Sequence, residues 1–192
     1  MNLFMSKKAV FPVILFFLSF SLSAQAGLKV ILEENDGKLT ILRSIGKTKE
    51  LVIPGTINDK PVTAISEGAF INRGLTLVSI PDSVISIEAD AFAGNQLVSV
   101  SIPNSITCIE IGVFMNNHLS NVIIPESVTT IGMRAFAYNP LTSITIGANV
   151  TFDAPPELPA FGYGFEAAYL AAGSAAGTYT RTDVSSTIWT RN

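Results

Sequence analysis

Reactive side chains are scarce in this chain. Its 192 residues include one Cys, one His and one Trp, and charged residues make up 14%. A single Cys excludes a disulfide framework within the chain and any multi-Cys zinc site. One His leaves almost nothing for a triad or a histidine-based metal centre. Basic charge is short too, with 12 Lys and Arg against 15 Asp and Glu and a formal net charge of -3. That balance argues against nucleic acid and supplies no basic stripe for anionic lipid. The sequence contains no H-E-x-x-H, no G-x-S-x-G, no phosphate loop and no C-x-x-C. No catalytic, cofactor-binding or metal-ligating residue is expected, and no cofactor.

The N-terminus reads as a targeting segment. Lys7 and Lys8 precede an apolar run over residues 9–20, and Ala24-Gln25-Ala26 offers an A-x-A cleavage site. The run is short for a membrane span, and no charged stop-transfer flank follows it. Residues 1–26 are therefore expected to be a signal peptide, with Met5 an equally good start as Met1. Cleavage leaves no membrane span and an exported protein, secreted or at the cell surface, with the periplasm also open.

What the chain has in abundance is internal repetition. Leu75, Leu97, Leu119 and Leu141 follow one another at 22 residues. The same period carries Val78, Val100, Val122 and Ile144, then Ile80, Ile102, Ile124 and Ile146. Pro81, Pro103 and Pro125 come next, then Val84, Ile106 and Val128, then Ile87, Ile109 and Ile131. Phe92, Phe114 and Phe136 close each unit, with Asn95, Asn117 and Asn139 just beyond. An earlier copy runs from Leu51 through Ile65 to Phe70, with five extra residues between its Pro and its Ile. A period in this range marks a solenoid.

Each unit holds two short apolar stretches, V-x-I and V-x-x-I, too short to be stable strands alone. Stacking lets each pair with its counterpart one coil away, at about 4.8 Å, so parallel ladders grow along the axis. Leu75, Val78, Ile80, Val84, Ile87, Ala91 and Phe92 then point inward. Each large side chain so buried gains roughly 1.5–3 kcal/mol, and ordering entropy of similar size opposes it. A lone coil should be unfolded and the array cooperative. The turn Asn residues either give their amides to neighbouring carbonyls as a ladder or simply favour the turn.

The I-P-x-S-V-x-x-I-x-x-x-A-F block resembles the BspA-like (treponemal-type) leucine-rich repeat family over about residues 47–152. Family members often carry Cys where this chain has Asn95, Asn117 and Asn139, and Gly where it has Glu88 and Glu110. The resemblance implies a surface or secreted protein that binds host proteins or other cells, with no ligand identified. The expected fold is a mainly β leucine-rich repeat solenoid of about 4.5 repeats spanning 47–152. An N-terminal cap hairpin fills 27–46 and a C-terminal cap of helix and hairpin fills 153–192.

Caps are required because a stack exposes apolar edges at both ends. Residues 28–32 and 39–42 flank Asn35-Asp36-Gly37, a hairpin signature. At the other end Gly147 replaces the repeat Pro, and Pro155, Pro156 and Pro159 mark a loop. Leu158-Pro159-Ala160-Phe161-Gly162 is read as part of that loop. A short helix is expected over 165–172, followed by strands over 178–181 and 187–191. Trp189, Tyr179 and Tyr163 are expected to pack the cap; the alternative is an aromatic platform for sugar or peptide.

Function must then lie on outward positions. The outward column of the first strand is Val52, Ser79, Ser101, Ile123 and Thr145, with Glu50, Leu77, Ser99, Asn121 and Ser143 beside it, small and without aromatic anchors. This column is the candidate protein-contact face, suited to broad, weak or multivalent contact. Glu88 and Glu110 share another column, read as hydrated acidic surface, with a weak calcium site as the alternative. Cys108 sits in a column of small residues, and His118 in a variable column that reads as exposed loop. The expected function is non-enzymatic protein binding or adhesion to host or other cells. The alternative is a structural or assembly component of the bacterial cell envelope. Partners are accordingly host extracellular or bacterial envelope proteins.

Overall fold

Asp36 and Gly37 both adopt positive φ, 50° and 72°, which is what a tight hairpin turn of matching twist requires. They join the antiparallel strands Lys29–Asn35 and Lys38–Ile45. The computed structural model describes residues 18–19, 29–155 and 157–192. Apart from the two-residue strand Leu18–Ser19, the segment expected to be a signal peptide lies outside the described residues.

The hairpin starts the stack. Its second strand, Lys38–Ile45, pairs in parallel with Lys60–Ile65, which pairs in parallel with Ser86–Ile87. This is the V-x-x-I ladder, and it resumes as Cys108–Ile109, Thr130–Gly132 and Thr151–Asp153. The V-x-I ladder runs beside it. Glu50–Val52 pairs in parallel with Leu77–Ser79, and Asn121–Ile123 pairs in parallel with Ser143–Ile146.

Both ladders are interrupted at the coil of residues 97–118: the V-x-x-I ladder breaks on its N-terminal side, and the V-x-I ladder on both sides. Ser99, Val100 and Ser101 do not form the strand that their alternation predicts. Strand Ser86–Ile87 likewise has no ladder to Cys108–Ile109. The coils remain joined there by other bonds. The Ser105 hydroxyl donates to the Val84 carbonyl across the division, and the next coil repeats this at Ser127 and Ile106, 2.8 Å.

Continuity along the axis comes from the Ala-Phe turn. Phe70 N–H donates to Ala91 O, Phe92 N–H to Val113 O, Phe114 N–H to Ala135 O, and Phe136 N–H to Ala160 O, all within 3.0 Å. The aromatic rings stack in the same order, with centroids 5.3 Å apart for Phe70–Phe92, 5.8 Å for Phe92–Phe114 and 5.4 Å for Phe114–Phe136. Phe161 adds a fifth ring 4.9 Å from Phe136. Residues 158–162 are thus not plain loop. Ala160 and Phe161 are a further Ala-Phe element, displaced from the 22-residue period to 25 residues after Phe136.

The turn Asn residues form the ladder. The Asn117 amide donates to Phe92 O at 3.0 Å and Phe114 O at 3.1 Å, while its oxygen accepts from Leu97 N–H at 3.0 Å. Asn95 and Asn139 repeat the pattern. Each buried amide thereby satisfies backbone groups of two coils, which a tightly turning chain would otherwise leave unpaired.

Each end is closed by a specific device. At the N-terminal end Ser44 is fully buried; its N–H and its hydroxyl both donate to Ala69 O, and its hydroxyl accepts from Arg73 Nε. At the C-terminal end Gly177–Thr180 pairs antiparallel with Ser143–Ile146, and Thr190–Arg191 pairs with Gly177–Thr180. The helix Phe165–Ala171 buries Phe165 and Tyr169. The Tyr169 hydroxyl donates to Gly147 O at 2.7 Å and accepts from Val150 N–H at 3.0 Å, pinning the helix to the last coil.

Candidate functional site

Alternation places the candidate contact residues on the outer side of the V-x-I ladder, because side chains of a strand point to opposite faces in turn. Val78, Val122 and Ile144 point into the core, whereas Val52, Leu77, Ser79, Asn121 and Ile123 are exposed. Ser99 and Ser101 are exposed on the coil where the ladder is interrupted. Ser143 and Thr145 are half-buried because the terminal strand pairs beside them, Thr180 opposite Ser143 and Thr178 opposite Thr145. The hydroxyls of Thr145 and Thr178 lie 2.9 Å apart. The face therefore continues onto the C-terminal cap, an extension that sequence reasoning missed. Periodicity does not announce an antiparallel strand added at the end.

The face is mixed in character. Hydroxyl side chains dominate it, and Val52, Leu77 and Ile123 expose aliphatic surface at 48%, 44% and 67%. No charge sits on it between Leu77 and Thr145 within the named columns.

The other candidates behave differently. His118 is exposed. Cys108 is half-buried; burial pushes its thiol pKa up, and the neighbouring Glu110 carboxylate raises it further. A thiol so shifted holds less thiolate, so it is a poorer nucleophile. Glu88 accepts from Glu67 N–H at 3.0 Å, and Glu110 is exposed. In the same column Gly132 lies against the backbone of Glu110, where a Cβ would fall 2.9 Å from the carbonyl carbon. A third carboxylate cannot be added to that column without moving the coil.

The three aromatics of the cap do not act alike. Tyr179 and Trp189 are buried, and Trp189 packs edge-on to Phe165 with the Arg181 guanidinium 4.9 Å from its ring. Tyr163 is 67% exposed, which corrects the expectation that it packs the cap.

The repeat matches one family. The model for the BspA type leucine rich repeat region fits six copies across residues 46–153. The chain belongs to the BspA-type leucine-rich repeat family. Proteins of this bacterial surface type are repeat scaffolds. A solved leucine-rich repeat protein from Bacteroides ovatus is similar, with TM-score 0.54 and 20% identity over 73% of this chain and 38% of that one. The chain thus spans well under half the length of that relative. A T. pallidum leucine-rich repeat protein aligns at TM-score 0.44 and 17% identity over 67% of this chain and 89% of that one. A leucine rich cell surface protein from Faecalibacterium prausnitzii aligns at TM-score 0.35 and 23% identity over 71% of this chain and 51% of that one. Comparison with curated proteins gave no match. No helix among the described residues is long and apolar enough to cross a membrane.

Proposed function

We propose that this BspA-type chain is an exported binding module that contacts protein ligands of host or neighbouring cells through the outer side of its V-x-I ladder. One observation carries the reading: nine outward positions from Val52 to Thr145, on both sides of the ladder's interruption, present mainly small hydroxyl and aliphatic side chains. From Leu77 onward such a surface costs little to desolvate, since the charge of these columns is confined to Glu50 on the first strand. It also lacks the Trp, Tyr and Arg anchors that concentrate binding energy, so contact is broad and strengthened by display in many copies. Export is part of the proposal and rests on Lys7, Lys8, the apolar run and Ala24-Gln25-Ala26.

Two measurements test the class of function. Protease shaving of whole cells should release fragments of the protein, and a pull-down against matrix proteins and envelope extract should retain extracellular protein. Protection from protease, with envelope proteins alone retained, would favour an envelope assembly component instead.

A further inference from the structure

A second concave surface lies away from the ladder face. The last coil and the helix Phe165–Ala171 bound a groove of about 740 Å³, within the range of small-ligand and side-chain sites. Phe152, Pro155, Pro159, Tyr163 and Leu170 make its walls apolar, and Glu166 contributes a carboxylate. Two of these side chains are held out to solvent rather than used by the fold, Tyr163 at 67% and Leu170 at 62% exposure. The floor is fixed by the Tyr169 bonds to Gly147 and Val150.

Charge selects the occupant. Residues 135–180 contain the anions Asp153, Glu157 and Glu166 and not one Lys or Arg. Arg181, the next cation along the chain, is held by Leu141 O at 2.6 Å and Ser186 O at 3.0 Å. Glu166 is half-buried, accepts from Phe161 N–H at 3.1 Å, and has no ion-pair partner among the described residues. The backbone N–H groups of Ala160 and of Glu166 itself also face the carboxylate; with about four lone-pair sites, it keeps room for one further donor. Partial burial without a counter-charge also raises its pKa, a cost that an incoming cation relieves.

From this geometry we infer that the groove binds an arginine side chain of a partner polypeptide, flanked by apolar residues. The guanidinium pairs with Glu166 and lies over the Tyr163 ring, as its planar, weakly hydrated form favours. The apolar neighbours cover Phe152, Pro155 and Leu170. This site is independent of whether the ladder face binds protein.

The test titrates the isotopically labelled full chain with two blocked peptides, acetyl-Pro-Leu-Arg-Leu-Pro-amide and its citrulline counterpart, while recording amide spectra. Citrulline keeps the shape and removes the charge. Saturable shifts are expected at Tyr163, Glu166 and Leu170, with the citrulline peptide about fivefold weaker, the effect of one partly screened ion pair. Glu166→Gln should abolish that difference, and Tyr163→Ala, at an exposed position that leaves the fold intact, should weaken both peptides. Equal affinity for the two peptides, shifts confined elsewhere, no saturable shift, a charge preference that survives Glu166→Gln, or unchanged binding by Tyr163→Ala would each overturn the assignment.

Discussion

Phe114 and His118 are four residues apart and do opposite things. Phe114 is 1% exposed, between the rings of Phe92 and Phe136, whereas His118 lies on the surface. Phe114→Ala should cost about 3–5 kcal/mol, and His118→Ala less than about 0.5 kcal/mol. Urea denaturation of both variants reads the difference directly. Asn117 is buried like Phe114 but works through hydrogen bonds, so Asn117→Ala leaves Leu97 N–H without its acceptor. That orphaned donor alone should cost about 1–3 kcal/mol, measured by the same denaturation. At this scale the sequence was highly informative, because a 22-residue column exposes which residues share an environment. Tyr163 was the exception. Its exposure depends on how the chain leaves the Phe161 turn through Gly162 and Gly164, both at positive φ, and no column mate advertises that path.

Elements differ in how far their pattern could be read. The hairpin, the two strand columns and the short helix follow from turn residues and alternation. The Ala160-Phe161 element was hidden because the proline-bearing segment before it stretches the spacing to 25 residues. The interruption at Ser99 to Ser101 was hidden for another reason: its sequence keeps the same alternation as the other coils, and only the missing backbone pairing and a half-buried Val100 distinguish it. Native-state hydrogen exchange should show this difference, with the Phe92 and Phe114 amides exchanging slowly and those of Ser99 and Ser101 quickly. Uniform protection through both would contradict the division. The helix offers a pH test. The Glu166 pKa is raised by burial, so the folded protein holds that proton more tightly than the unfolded chain does. Stability from this group is therefore gained as pH falls from the raised pKa toward the unfolded value near 4.3, and lost as pH rises. Glu166→Gln should be more stable than the parent at pH 7, with the gap closing below about pH 4; thermal melts across that range check it.

Residues 29–192 form one array closed at both ends, by Ser44 and the hairpin on one side and by the antiparallel strands and helix on the other. Because coils contact only their neighbours, loss of one central ring should uncouple the two halves rather than unfold one coil. The scaffold was legible from columns, but the partner was not. Outward residues are free of the packing constraints that make columns visible, so their pattern records tolerance of water as much as recognition. The acidic column is open to solvent and Gly132 ends it, so binding by the purified protein should survive EDTA. An affinity lost to chelator and restored by calcium would contradict this. If the ladder face makes the protein contact, Ile123→Arg should break it. Ile123 is 67% exposed in the middle of that face, so the substitution should leave the urea midpoint unchanged while placing a charge in any interface there. Affinity for the captured partner, measured by surface plasmon resonance, should fall at least about tenfold, equivalent to about 1.4 kcal/mol. Undiminished affinity at an unchanged midpoint would contradict it.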